Sequence, residues 1–190
     1  MRELPDPDPV LLFCGLLSSA PRRLEDAARA LIGSFGPLCE RSALLPWDFS
    51  RYYAAELGEP LFRQFLFFDQ KISPAELASA KLKTRAIELE TARTCGGHPC
   101  RTVNLDPGYL APAKVVLATT KDYAHRVYLS RGIFAEVALF YRQHSFQSLP
   151  HTYPDFRTDA YLQIFNAARR RILPIHSPPE KAPLHHPRLP

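Results

Sequence analysis

The spacing of apolar positions changes several times along this chain, and each change predicts an element. Val10 to Leu17 is a continuous apolar run, the pattern of a strand buried on both faces. Past Pro21, Leu24, Ala27, Ala28, Leu31, Ile32 and Phe35 recur at helical spacing until Gly36-Pro37 stops them. Leu38 to Leu45 reads as a second strand. The segment PWDFSRYYAAELGEP reads as a turn and short helix closed by Gly58, and Leu61 to Asp69 as a third strand. Ser73-Pro74-Ala75-Glu76 is a capping box with proline at the first helical position, so it predicts a helix to about Ala92. On that helix Lys81, Thr84 and Glu88 share a stripe bordering the apolar set Leu77, Ala80 and Ile87. Residues from Arg101 to Asp106 alternate as a strand, Pro107-Gly108 predicts a turn, and Lys114 to Thr120 reads as the return strand. Val127 to Tyr141 is a long strand interrupted at Arg131-Gly132. His151 to Phe156 reads as a loop, and Thr158 caps a final helix through Tyr161, Leu162, Phe165 and Ala168.

The order β-α-β-β-α-β followed by more strands and a helix predicts an α+β fold of the ferredoxin-like, split βαβ type, with an antiparallel sheet. Residues 1–9, with Pro5, Pro7 and Pro9, form an arm, and 10–173 form one domain. The Pro/His-rich stretch 174–190 is expected to be disordered. A 46% hydrophobic content and 190 residues suffice for an ordinary core. The net charge of +5 permits nucleic-acid contact without requiring it. The apolar runs are too short to span a bilayer, and the acidic segment ahead of Val10 argues against an export signal. Four cysteines without dense spacing suit a reducing cytoplasm.

Chemistry-bearing residues bunch in the middle third. Lys81, Arg101, Asn104, Lys114, Lys121 and Arg126 form a candidate anion site, since forked arginine donors and compact lysine charges together suit phosphoryl oxygens. His125 is the candidate general acid or base. Asp106, Glu136 and Asp155 are candidate ligands for a divalent metal ion, the one cofactor the residue types suggest. Glu136 lies within Ile-Phe-Ala-Glu-Val-Ala-Leu-Phe, where a carboxylate needs a partner. Cys95, His98 and Cys100 lack a paired C-x-x-C knuckle and read as a flexible loop rather than a zinc site.

CGLL at 14–17, DFSRYY at 48–53, VNLDPGYL at 103–110, VLATTKDYAHRVYL at 116–129, GIFAEVAL at 132–139 and TYPDF at 152–156 resemble the bacterial domain of unknown function 4416 family. The resemblance covers nearly all of residues 10 to 172. The chain departs from the family pattern at Arg85, where asparagine is usual, at Ala138, where threonine is usual, and at His151 in place of tryptophan. Members sometimes carry a GTP-binding description. This sequence has no G-x-x-x-x-G-K-[ST] loop, and in VVLATTKD Lys121 and Asp122 are adjacent, whereas the guanine-reading motif separates them by one residue.

These patterns point to binding of a phosphorylated or nucleotide-like small anion, with a reaction upon it left open. Two other readings use the same residues. In one, the charges form a self-contained network in a non-enzymatic interaction or scaffold protein. In the other, Trp47, Phe49, Tyr52, Tyr53, Phe62, Phe65, Phe67 and Phe68 stack RNA bases on an exposed sheet.

Overall fold

The strand Val10–Ser18 (β1) is buried along its whole length because it runs through the middle of the sheet. The computed structural model describes residues 5–173, so residues 1–4 of the arm and the Pro/His-rich stretch from Pro174 lie outside the described residues. Leu11 and Phe13 of β1 face one core, whereas Leu12, Cys14 and Leu16 face another on the opposite side of the sheet. Burial on both faces is the physical reason β1 shows no alternation.

The helix α1 (Pro21–Phe35) sets Leu24, Ala27, Ala28 and Leu31 against the second of these cores. The predicted strand at 38–45 is two short ones, β2 (Leu38–Arg41) and β3 (Leu45–Trp47), both paired with β4 (Leu61–Ile72). Between them and β4 lies the short helix α2 (Ala54–Leu57). β4 is the other long core strand: Phe65 and Phe67 face one side, and Leu66 and Phe68 the other. The capping box at Ser73 forms with both reciprocal hydrogen bonds, opening a 3-10 turn that continues into α3 (Leu77–Glu90).

After α3, Arg93–Cys95 (β5) and His98–Cys100 (β6) make a separate two-stranded ribbon, where a flexible loop was expected. β7 (Asn104–Ala111) and β8 (Lys114–Thr119) form the central hairpin. Val127 to Tyr141 is not one interrupted strand. It is a hairpin of β9 (Val127–Ser130) and β10 (Ile133–Arg142), turned by Arg131 and Gly132, both at positive φ. A second tight turn at Gln143-His144 leads to β11 (Ser145–Ser148), and Thr158 caps the last helix α4 (Asp159–Arg169) through its hydroxyl.

The main sheet has nine strands, with β11-β10-β8-β7-β1-β4-β2 as its path and every pairing antiparallel. α1 and α3 cover one face, and α4, through Tyr161, Phe165 and Ala168, covers the other. The architecture is thus mixed α and β: a large antiparallel sheet with four α-helices among the described residues. Phe65, Phe67 and Phe68 are wholly buried beneath those helices, so they offer no stacking platform for RNA bases. Among the described residues no helix is long and apolar enough to cross a membrane.

The central turn lies further along the chain than the sequence predicts. Pro107-Gly108 is not the turn; both residues lie within β7, paired with Cys14 and Phe13 of β1, and the chain reverses at Pro112-Ala113. Glycine at 108 is required by close packing: a Cβ there would lie 2.5 Å from both the Phe13 ring and the Val116 carbonyl oxygen.

Candidate functional site

A split in the sheet creates the cavity. β7 pairs with β1 from Asn104 to Leu110, but it pairs with β8 only from Gly108 onward. By strand alternation the backbone N atom of residue 107 faces the same way as that of Leu105, away from β1. Residue 107 is proline and has no N–H to donate there, so the ladder with β8 stops beside it. β8 meanwhile continues to Thr119 alongside β10. The two strands diverge and leave the edge of β7 at Leu105 unpaired by backbone.

Helix α3 satisfies that edge with side chains. Lys81 Nζ donates to the Leu105 carbonyl at 2.8 Å, and Leu105 N–H donates to Glu88 Oε1 at 2.6 Å. This explains why Lys81 and Glu88 are buried on the stripe that borders the core; Thr84 between them donates its hydroxyl to the Lys81 carbonyl.

Into the split opens a cavity of about 530 Å³, within the range of roughly 300–1,000 Å³ usual for small-molecule sites. Asn104 and Asp106 line one wall, and Thr119, Thr120 and Lys121 the facing one. Trp47, Phe49, Tyr52 and Tyr53 form an aromatic side, with Tyr153 and Phe156 from the loop before α4.

Arg63 of β4 ties its floor together. To reach Asp106 on β7 it must cross β1, and it does so over Gly15, which stands opposite Asp106 and Phe65. A Cβ at Gly15 would come within 3.1 Å of Arg63 Nη1, so the missing side chain makes room for the guanidinium. Arg63 Nη1 then donates to Asp106 Oδ2 at 3.0 Å, and Nη2 lies 3.5 Å from Asp155 Oδ2. Asp155 also accepts from Trp47 Nε1 at 3.0 Å and from the Phe156 N–H. Asp106 accepts from Asn104 Nδ2 at 2.7 Å and has Lys81 Nζ 3.7 Å away. Arg101 donates to Asn104 Oδ1 and forks onto Glu56 of α2.

The sequence candidates divide accordingly. Lys81, Arg101, Asn104, Asp106, Lys121, Glu136 and Asp155 all line the one cavity. Lys114 does not. It is exposed at the turn end of β8, roughly 17 Å along the strand from Thr119. His125 and Arg126 stand behind the wall, joined to it through Glu136, whose Oε2 lies 2.9 Å from His125 Nε2 and 2.8 Å from Arg126 Nε. Arg126 also donates to the Tyr153 hydroxyl, and the His125 ring stacks on His151.

Asp106, Glu136 and Asp155 are not arranged as a metal-ligand set. Arg63, Lys81 and Asn104 engage Asp106, Arg63 and Trp47 engage Asp155, and His125 and Arg126 engage Glu136. Among the described residues no group of three or more His, Cys, Asp or Glu is placed to hold a metal ion. Arg63, Glu56 and Tyr153 were not among the candidates, and Trp47 and Tyr53 were read only as stacking residues for RNA bases; a lone arginine inside the apolar run of β4 was the available signal for the first.

A family model described as domain of unknown function (DUF4416) matches residues 8–172. The chain belongs to that family. No curated protein matches it. In this DUF4416 member the match takes in β1, both strands that diverge, and every residue of the cavity wall.

Two carboxylates beside the split, Asp106 in the cavity wall and Glu88 on α3, are shifted in opposite senses. Burial opposes ionisation of Asp106, but Lys81 and Arg63 outweigh it and hold its pKa below the ordinary value of 3.8. Burial raises Glu88 above its ordinary 4.5, with Lys81 and the Leu105 N–H offsetting only part of the effect. The stability due to Asp106 is therefore present above the unfolded value and lost as pH falls through the depressed folded one. That due to Glu88 is present below its unfolded value and lost as pH rises through the raised one. Urea midpoints between about pH 3 and pH 8 test both signs. Asp106→Asn is expected to cost more at neutral pH than in acid. Glu88→Gln, which keeps an acceptor for Leu105, is expected to gain on the parent protein as pH rises. A pH-independent difference for either variant would contradict its assignment.

Proposed function

We propose that this DUF4416 domain binds a small anionic ligand carrying a planar ring, of the nucleotide or phosphorylated-heterocycle class. One observation carries the reading. Of the four cations lining the cavity, Arg63, Lys81 and Arg101 already have carboxylate neighbours, whereas Lys121 has none within 4.0 Å among the described residues. Its amine instead lies 4.6 Å from the centre of the Tyr52 ring. A free cation beside aromatic side chains suits a ligand that stacks through its ring and presents an acidic group to the rim. The paired charges of the floor supply donors and acceptors for the ring's polar edge.

Trp47 is the chain's one tryptophan and lines the cavity, so its fluorescence reports occupancy directly. Titration with nucleoside monophosphates is expected to change that fluorescence saturably and to raise the melting temperature. Lys121→Ala should weaken the monophosphates about tenfold, the loss of one charge-assisted contact, and leave unphosphorylated nucleosides unaffected. No saturable signal from any of them at millimolar concentration would refute the proposal.

Two finer statements belong to the same reading. The order β7-β1-β4-β2, with α1 and α3 on one face, supports a split βαβ, ferredoxin-like unit for the first half of the domain. A cytoplasmic setting is supported by the four cysteines, all free thiols.

A further inference from the structure

The split between β7 and β8 leads to a second, smaller hollow. It measures about 210 Å³ and is lined by Lys81, Arg85, Glu88, Leu89, Arg101 and Thr120. Lys81, Arg101 and Thr120 also line the main cavity, so the two chambers share a wall made of two cations and a hydroxyl. The chemistry of the two differs. The main chamber has aromatic residues on one side; the annex has Leu89 as its one apolar side chain and three basic groups.

Arg85 stands apart among those basic groups. It projects from α3 one turn after Lys81, is exposed, and has no carboxylate within 4.0 Å among the described residues. Arg101 is held by Glu56, and Lys81 by Leu105 and Asp106. Glu88, the one acidic residue of the annex, is already engaged by the Leu105 N–H, which donates to its Oε1 at 2.6 Å. Each chamber therefore holds one cation free of acidic neighbours among the described residues, Lys121 in the first and Arg85 in the second, on either side of a wall that can itself donate hydrogen bonds.

We infer that the annex takes a second phosphoryl group of the same ligand, so that the domain recognises a ring-bearing diphosphate in preference to a monophosphate. This rests on the main cavity binding a ring-bearing anion. The ring occupies the aromatic chamber with its first acidic group near Lys121. The chain of phosphates passes Thr120, and the terminal group meets the forked donors of Arg85, with Lys81 and Arg101 behind it.

The test compares a nucleoside monophosphate with its diphosphate by Trp47 fluorescence, at fixed ionic strength and without divalent ions. The parent protein is expected to bind the diphosphate at least tenfold more tightly. Arg85→Ala should abolish that advantage and leave the monophosphate constant within about twofold; Arg85→Glu should reverse it. Arg85 is exposed, so neither change removes a core contact, and circular dichroism checks the fold. Tight monophosphate binding with no diphosphate advantage, or an advantage that survives in Arg85→Ala, overturns the annex and leaves the main-cavity reading standing. Absence of binding by either probe overturns both.

Discussion

Arg63→Met is expected to destabilise the domain by about 3–5 kcal/mol, the usual cost of removing one partner from a buried ion pair. The Arg63 side chain is only 5% exposed, and its two carboxylate partners, Asp106 and Asp155, are 28% and 7% exposed. Methionine fills much of the same space, so lost volume is a minor part of the effect. The larger part is Asp155 left with only the Trp47 and Phe156 N–H groups, and Asp106 left with Lys81 and Asn104. Equilibrium urea unfolding measures the loss. Adding Asp106→Asn and Asp155→Asn to Arg63→Met should recover part of it, because the three charges act as a unit and their single effects do not add. Tyr161→Phe is the control. It removes a buried hydroxyl that lies beside Arg63 without a well-formed hydrogen bond among the described residues, so it leaves both carboxylate pairs of Arg63 in place and should change stability by less than about 1 kcal/mol. A loss below about 1 kcal/mol for Arg63→Met would mean that the floor of the cavity is not held by this arginine.

Gly108→Ala is expected to cost about 3 kcal/mol or more, the severe end of overpacking, although it adds a single methyl group. One of the two groups in its way, the Val116 carbonyl, belongs to the β7–β8 ladder and moves only if the strands separate. The other is the ring of Phe13, which is fully buried and packed edge-on to Phe165. The substitution also distinguishes the two positions of the turn. In a surface turn an alanine without strain would change stability by less than about 1 kcal/mol. Thermal and urea unfolding of this variant, beside Pro112→Ala at the actual reversal, measure the contrast.

The misplaced turn and the misplaced lysine have one cause. Pro-Gly is among the strongest turn signals in a sequence, and it reads that way when nothing else is known. Here proline interrupts a ladder and glycine admits a phenylalanine ring, two demands made by strands distant in sequence. A reversal at 107–108 would set Asp106 and Lys114 on either side of a single turn. With the reversal at Pro112-Ala113, Lys114 belongs to the closed end of the hairpin, while Asn104, Asp106 and Lys121 belong to the open end.

What was legible rested on local rules. The capping box at Ser73, the apolar period of α1, the buried stripe of α3 and the need of Glu136 for a partner all depend on neighbours within a turn or two. Arg63 was not legible because its role depends on Gly15 and Asp106, which approach it only when β4, β1 and β7 align. The aromatic residues divided likewise. Trp47 and Tyr53 reach the cavity and Phe65 goes to the core, a difference of placement that residue type alone does not carry.

The hairpin at Pro112-Ala113 joins two jaws that come from different parts of the chain: Asn104 and Asp106 before the bend, Thr119 to Lys121 after it. A polypeptide cut at the bend would yield two fragments, each bearing half of the cavity lining and neither enclosing a hollow. The enclosed hollow is thus a property of the two halves together, and under the proposed reading a ligand would be held only when both are folded against each other.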